Sequence, residues 1–253
     1  MKTLITFLLL LYSININAQH FYISAGGGYN LPVMKQDIGT YKSGTNKVAN
    51  VVGSYGKGVT IDGSIGYNFN KHISAEIILS KLDIADNIFP EESDFTINGT
   101  MTRIIPTIKF STGNRVKAFL RSGFIVGINP HLKVHQDVMM SPVDGFIVTT
   151  EYTDGNSFGF YNAVGVEYMI TNALSVSIDF NTIIQNWGPE KSERTVEIKG
   201  RATPFVPSPG TTSYSDEMEI FPGNLLKTYY PFNSMGLHLG IVYHFQKKEK
   251  KEE

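Results

Sequence analysis

The sequence predicts an all-β fold, an eight-stranded antiparallel up-and-down transmembrane β-barrel, on three observations. Eight segments alternate apolar residues with small or polar ones at a period of two, the mark of strands with two different faces. Each has at least the roughly nine to eleven residues that a tilted strand needs to cross a bilayer. Short and long connections strictly interleave, which puts every long loop at one end and both termini at the other.

The first segment is Phe21 to Leu31, with Phe21, Ile23, Ala25, Gly27 and Tyr29 on one face. The second is Val59 to Phe69, where Val59, Ile61, Ile65, Tyr67 and Phe69 share a face. The third is Ile73 to Leu82, with Ile73, Ala75, Ile77 and Leu79. The fourth, Met101 to Ser111, sets Thr102, Ile104, Pro106, Ile108 and Phe110 together. A proline inside a strand removes a ladder hydrogen bond, so a bulge is expected at Pro106. The fifth is Val116 to Gly127, with Val116, Ala118, Leu120, Phe124 and Val126. The sixth is Phe158 to Ile170, with Phe158, Phe160, Val164, Val166 and Tyr168. The seventh is Leu174 to Ile184, with Leu174, Val176, Ile178, Phe180 and Ile184. The eighth is Ser234 to Phe245, where Leu237, Leu239, Ile241, Tyr243 and Phe245 alternate with smaller or polar residues.

Three connections are short, at 70–72, 112–115 and 171–173, with Gly and Asn suited to tight turns. Four are long, at 32–58, 83–100, 128–157 and 185–233. An even strand number with turns on one side and loops on the other is the layout of an outer-membrane barrel.

Ahead of the strands, Lys2, the apolar run Leu4 to Tyr12 and the small residue Ala18 match a secretory signal peptide, 1–18, cleaved before Gln19. The barrel domain is then 19–245. A charged tail, 246–253, follows and should sit in the periplasm.

Composition narrows the function classes. There are 22 Lys and Arg against 23 Asp and Glu, so no nucleic-acid partner is indicated. The absence of cysteine excludes a disulfide framework and a thiolate metal site.

A soluble eight-stranded barrel would also alternate, but its polar face would carry Lys, Glu and Gln for water. The polar face here carries Ser24, Gly26, Gly28, Ser64, Gly66, Gly123, Gly165, Gly236 and Gly240, small enough for a crowded interior. It also carries Asp62, Glu76, Arg103, Lys109, Lys117, Arg121, Glu167 and Asp179. An interior this narrow brings opposite charges within reach, and an unpaired one would be costly. Arg121 is therefore expected to bond at least one of Glu76, Glu167 and Asp179. The apolar face carries aromatics near the strand ends, among them Tyr29, Tyr67, Phe110, Phe158, Tyr168 and Tyr243, suited to girdles at the membrane surfaces.

No nucleophile elbow, phosphate loop, zinc helix or dinucleotide fingerprint is present. Ser234 and His238 share a face of the last strand with Asp179 on the strand before, but four residues along a strand span about 13 Å. His131 and His135 lie in a loop with no helical pattern, so a shared metal is not expected. Catalytic, cofactor and metal sites are all expected to be absent. The long loops are the expected contact surface, with Trp187, Tyr214, Tyr229 and Tyr230 offering aromatic contacts in the fourth.

The stretches "FYISAGGGYNLP", "GSIGYNFNKHISAEI", "RIIPTIKFSTG" and "AVGVEYMITNALSVSIDF" resemble the outer-membrane β-barrel domain family common in Bacteroidota, related in build to small OmpA/OmpX-type barrels. The final strand, ending on Phe245, resembles the signal that the barrel assembly machinery reads. The resemblance implies the outer membrane of a Gram-negative bacterium and outer-membrane lipid as partner. It implies a non-enzymatic structural or surface-interaction role with a surface ligand unknown. A narrow small-solute channel is the alternative, with a lipid-modifying enzyme behind it. A monomer is expected. One departure is that Gln246 to Glu253 follow Phe245; this tail is too short for a cell-wall-binding domain.

Overall fold

Eight strands pair in chain order and the last returns to the first. They are β1 (Phe21–Pro32), β2 (Gly58–Asn68), β3 (Ile73–Ile84), β4 (Phe95–Gly113), β5 (Val116–Met139), β6 (Ser157–Met169), β7 (Leu174–Trp187) and β8 (Ser234–His244). The computed structural model describes residues 21–33, 36–42, 48–84, 95–139, 144–200, 207–215 and 225–245. The expected signal peptide and charged tail lie outside the described residues. Every neighbouring barrel pair is antiparallel, and β1 closes the ring against β8 from Tyr22↔His244 to Pro32↔Ser234. Closure leaves no barrel edge with unpaired backbone groups, which is the condition for strands to span a bilayer.

The alternation resolves into an apolar outside and a polar inside. Ile61, Phe124, Phe158 and Leu239 are 62% to 64% exposed on the outer surface, whereas Glu76, Arg103, Lys109 and Glu167 are at most 4% exposed within. A broad apolar shell of this kind is stable against lipid tails and not against water.

The short turns are locally encoded. Asn70 Oδ1 accepts the backbone N–H groups of His72 (2.8 Å) and Ile73 (2.9 Å). Thr171 Oγ1 does the same for Ala173 (3.2 Å) and Leu174 (3.0 Å). Gly113 opens the turn between β4 and β5 with φ +104°, a backbone angle that a side chain would strain.

The strands run further than the apolar alternation does. β4 starts at Phe95 and β5 continues to Met139, so the barrel wall rises well past the expected strand ends at Met101 and Gly127. The register shifts between Thr100 and Thr102, and Asn129 takes a positive φ of 48°. The extra residue reverses the faces of β5: Ile125 is buried below the shift and Leu132 above it.

The expected bulge at Pro106 is therefore corrected. Register runs unbroken past it, from Ile104↔Val126 to Thr107↔Gly123, and Pro106 stays paired with Ile77 on the other side. Gly123 is the reason. A Cβ there would overlap the Pro106 carbonyl, so the bare glycine lets the two backbones close up without an inserted residue.

Further strands stand on the long-loop side. Gly145–Thr153 pairs with the upper part of β5 and with Lys191–Lys199. Gly210–Ser215 extends this wall, and Leu225–Leu226 joins it in parallel. Gln36–Lys42 and Val48–Gly53 form a separate hairpin.

Candidate functional site

Two structures fill the barrel, one polar and one apolar. The polar one begins nearest the short turns. Tyr22 Oη donates to Glu76 Oε1 (2.6 Å), and Lys109 Nζ donates to Glu167 Oε2 (2.9 Å). Glu167 also accepts from Ser175 Oγ (2.8 Å) and lies 3.0 Å from His244 Nε2. Arg121 pairs with two carboxylates, Glu76 through Nε (2.8 Å) and Asp179 through Nη1 (3.2 Å). Phe119 sits beneath both bases, its ring centre 4.7 Å from Lys109 Nζ and 4.5 Å from Arg121 Cζ.

Asp62 stands apart from that pair and meets His238, Oδ2 to Nδ1 at 3.0 Å. A cavity of about 20 Å³ lies among Asp62, Arg121, Tyr161, Asp179 and His238, room for a water or two. Arg103 is fully buried and meets no carboxylate among the described residues; its Nε donates to Gln185 Oε1 (2.8 Å), and Gln185 in turn donates to Ser157 Oγ (2.8 Å). Lys117 faces inward at the turn-side mouth, across from Glu167 in register, and is half-buried.

Tyr22, Ser175 and His244 join the network although none carries a charge that marks it. Their signal in the sequence is parity. Each sits on the inward side of an alternating strand with a polar atom to offer.

The apolar structure closes the other end. Tyr55, Leu82, Ile84, Ile97, Met101, Leu132, Trp187 and Phe232 form one buried cluster, with Val134, Tyr152 and Tyr230 packed against it. Trp187 is 0% exposed and its Nε1 donates to the Asp154 carbonyl (2.8 Å), so it is a cap residue and not the open contact expected from a loop aromatic. Tyr230 packs beside it, with ring centres 6.0 Å apart. Burial pushes the hydroxyls of Tyr55 and Tyr230 above the ordinary tyrosine range, and the nearby Tyr152 adds to it. Tyr229 alone of the four expected contact aromatics is well exposed, while Tyr214 is half-buried beside Tyr152.

Around the cap and above it, the strand wall is laced by ion pairs. Lys133 meets Glu151 (2.7 Å) and Lys199 meets Asp137 (2.6 Å). Hydrogen bonding from Lys133 holds the Glu151 carboxyl below the usual carboxylate range. Leu225, Leu226 and Tyr229 are 53% to 56% exposed on this side.

The candidate catalytic groups do not assemble. His238 binds Asp62, and the Ser234 hydroxyl is buried without a hydrogen-bond partner among the described residues. His131 and His135 both lie on β5. His131 sits 3.6 Å from Glu151 and His135 3.0 Å from the Thr149 hydroxyl, and among the described residues no cluster of three metal-ligating side chains forms.

The family whose model is described as "Outer membrane protein beta-barrel domain" matches residues 6–191. No curated protein matches the chain. Solved structures similar to it include Neisserial surface protein A, at 14% identity and TM-score 0.41, covering 90% of this chain and 100% of that one. A major outer membrane protein from Thermus thermophilus is similar at 12% identity and TM-score 0.49, with 90% and 100% covered. OprG from Pseudomonas aeruginosa is similar at 10% identity and TM-score 0.47, with 90% and 97% covered.

Proposed function

The chain belongs to the outer membrane protein β-barrel domain family, and from that premise we propose a non-enzymatic role: a closed barrel that holds a contact wall on its long-loop side. The protein is an outer-membrane β-barrel, and its place is the outer membrane. In our reading the 1–18 segment is a cleaved signal peptide, the termini are periplasmic and the wall is extracellular. Outer-membrane lipid covers the apolar face. Leu237, Leu239, Ile241, Tyr243 and Phe245 are what the assembly machinery reads during insertion.

One observation carries the functional reading, which is that the lumen is filled twice over. Arg121 bridges Glu76 and Asp179 across the interior, and the Trp187–Phe232 cluster seals the mouth above. Between them, among the described residues, lies a cavity of about 20 Å³, room for a water or two. The wall, by contrast, presents exposed Leu225, Leu226 and Tyr229 beside the charges of Glu193, Arg194 and Glu197. Such a mixture suits binding of a surface ligand.

Planar-bilayer recordings of the purified protein test this. A flat baseline supports the closed barrel, whereas reproducible conductance steps would replace it with the narrow channel. Protease shaving of intact cells tests the orientation, with cuts expected only on the long-loop side. Altered lipid A in a deletion strain would move the reading to a lipid-modifying enzyme.

A further inference from the structure

The lipid-facing surface is largely apolar between the two aromatic girdles; on β3 the outward Lys81 and Asp83 pair with each other at 3.4 Å, and across β5, β6 and β7 a row of uncharged polar residues departs from it. Ser122 on β5, Asn162 on β6 and Thr182 on β7 stand side by side in register, pointing outward. Asn162 lies six residues from Tyr168 on the turn side and four from Phe158 on the loop side, near the middle of the roughly 25 Å apolar band. Its strand neighbours on that face are Phe160 and Val164, and those of Ser122 are Leu120 and Phe124, all at least 50% exposed.

Ser122 Oγ donates to Asn162 Oδ1 (2.8 Å), and among the described residues the amide Nδ2 has no hydrogen-bond acceptor. Lipid tails offer that nitrogen nothing. In a bilayer such a group is satisfied by another polar group across a protein–protein contact. A carboxamide carries donor and acceptor together, so it complements itself. A two-fold axis through this face would place each Asn162 opposite its own copy, as isologous dimers require.

We propose that the face formed by β5, β6 and β7 is a dimer interface in the membrane, with a second copy of this chain as the occupant and the Asn162 amides paired at its centre. This replaces the monomer expected from the sequence, and it stands independently of what the extracellular wall contacts.

The lack of cysteine in the chain makes the test direct. Asn162→Cys is oxidised in native outer membranes and compared with Ile65→Cys, which sits outward on β2 at the opposite side of the ring. A disulfide-linked species at twice the chain mass from the first and none from the second is the expected result. Native mass spectrometry in lipid nanodiscs supplies the second readout. Asn162→Leu should cut the dimer fraction at least tenfold, and Asn162→Gln should keep most of it. Far-UV circular dichroism confirms that each variant is folded. Equal cross-linking at both sites, an unchanged dimer fraction in Asn162→Leu, or a wild-type protein monomeric at every protein-to-lipid ratio would overturn the proposal. So would an adduct of Asn162→Cys with a different protein, which would give the face another occupant.

Discussion

Arg121 is held between Glu76 and Asp179, its Nε 2.8 Å from one carboxylate and its Nη1 3.2 Å from the other, with the Phe119 ring beneath. Three strands of the ring, β3, β5 and β7, are thus tied across the interior by one side chain. Its removal takes the guanidinium from two buried carboxylates at once, leaving Glu76 with Tyr22 and the more distant Lys109.

Arg121→Leu should therefore cost about 3–5 kcal/mol, the usual penalty for deleting one partner of a buried pair. Urea unfolding in lipid vesicles measures it. Adding Glu76→Gln and Asp179→Asn to the variant should recover much of the loss, because neutral amides no longer need the guanidinium. No recovery would mean that Arg121 acts through packing on Phe119 and not through its charge.

Gly66 carries the next prediction. It faces Tyr22 across the β1–β2 pair, and the phenol ring lies over it, so a Cβ there would overlap the ring. That position lets Tyr22 reach Glu76. Gly66→Ala should destabilise by about 1–3 kcal/mol through overpacking. Tyr22→Leu should relieve the clash in the double variant, while Tyr22→Phe should not, since the ring remains. Thermal melts of the singles and doubles read the coupling.

How far the sequence reaches is clear from particular residues. Strands in the membrane are legible because both environments act on them: lipid demands Ile61, Leu120 and Leu239 outside, and the crowded lumen demands Gly26, Ser64 and Gly240 inside. Above the membrane the outside meets water, so the alternation fades while the backbone pairing continues. The extra residue near Asn129 then swaps the faces of β5, and no period-two reading survives it. Which charges meet is likewise hidden. Lys109 finds Glu167 across strands β4 and β6 because of the stagger between strands, a property of closure that no local pattern records. Trp187 reads as a loop contact for a related reason. The residues that bury it, Tyr55 and Phe232, come from far along the chain.

Outside the membrane, Glu151 offers a pH dependence with a definite sign. Lys133 donates to it at 2.7 Å and holds the carboxyl below its usual range. The unfolded chain binds that proton at a higher pH than the folded one. The pair's contribution is thus complete above the unfolded carboxylate pKa of about 4.3 and is lost as pH falls through the lower folded value. Both side chains are 41% exposed, so the contribution is at most about 1 kcal/mol. Carboxyl-carbon NMR should place the Glu151 midpoint below that of a model glutamate, and Lys133→Gln should move it back up. A midpoint indifferent to Lys133→Gln would assign the shift to other groups.

The two fillings of the barrel can be separated by opening one of them. Trp187→Ala removes the largest side chain of the mouth cluster and its bond to the Asp154 carbonyl. The loss should be about 3–5 kcal/mol at most, and it should be felt at the mouth. Amide exchange should accelerate around Tyr55 and Phe232, and the long loops should become easier to cut in intact cells. Conductance should stay at baseline, because Arg121, Glu76, Lys109 and Glu167 still fill the interior below. Ion passage through Trp187→Ala would make the aromatic cluster the gate and leave the charged layer permeable. That outcome would turn the closed barrel into a channel held shut by its own loops.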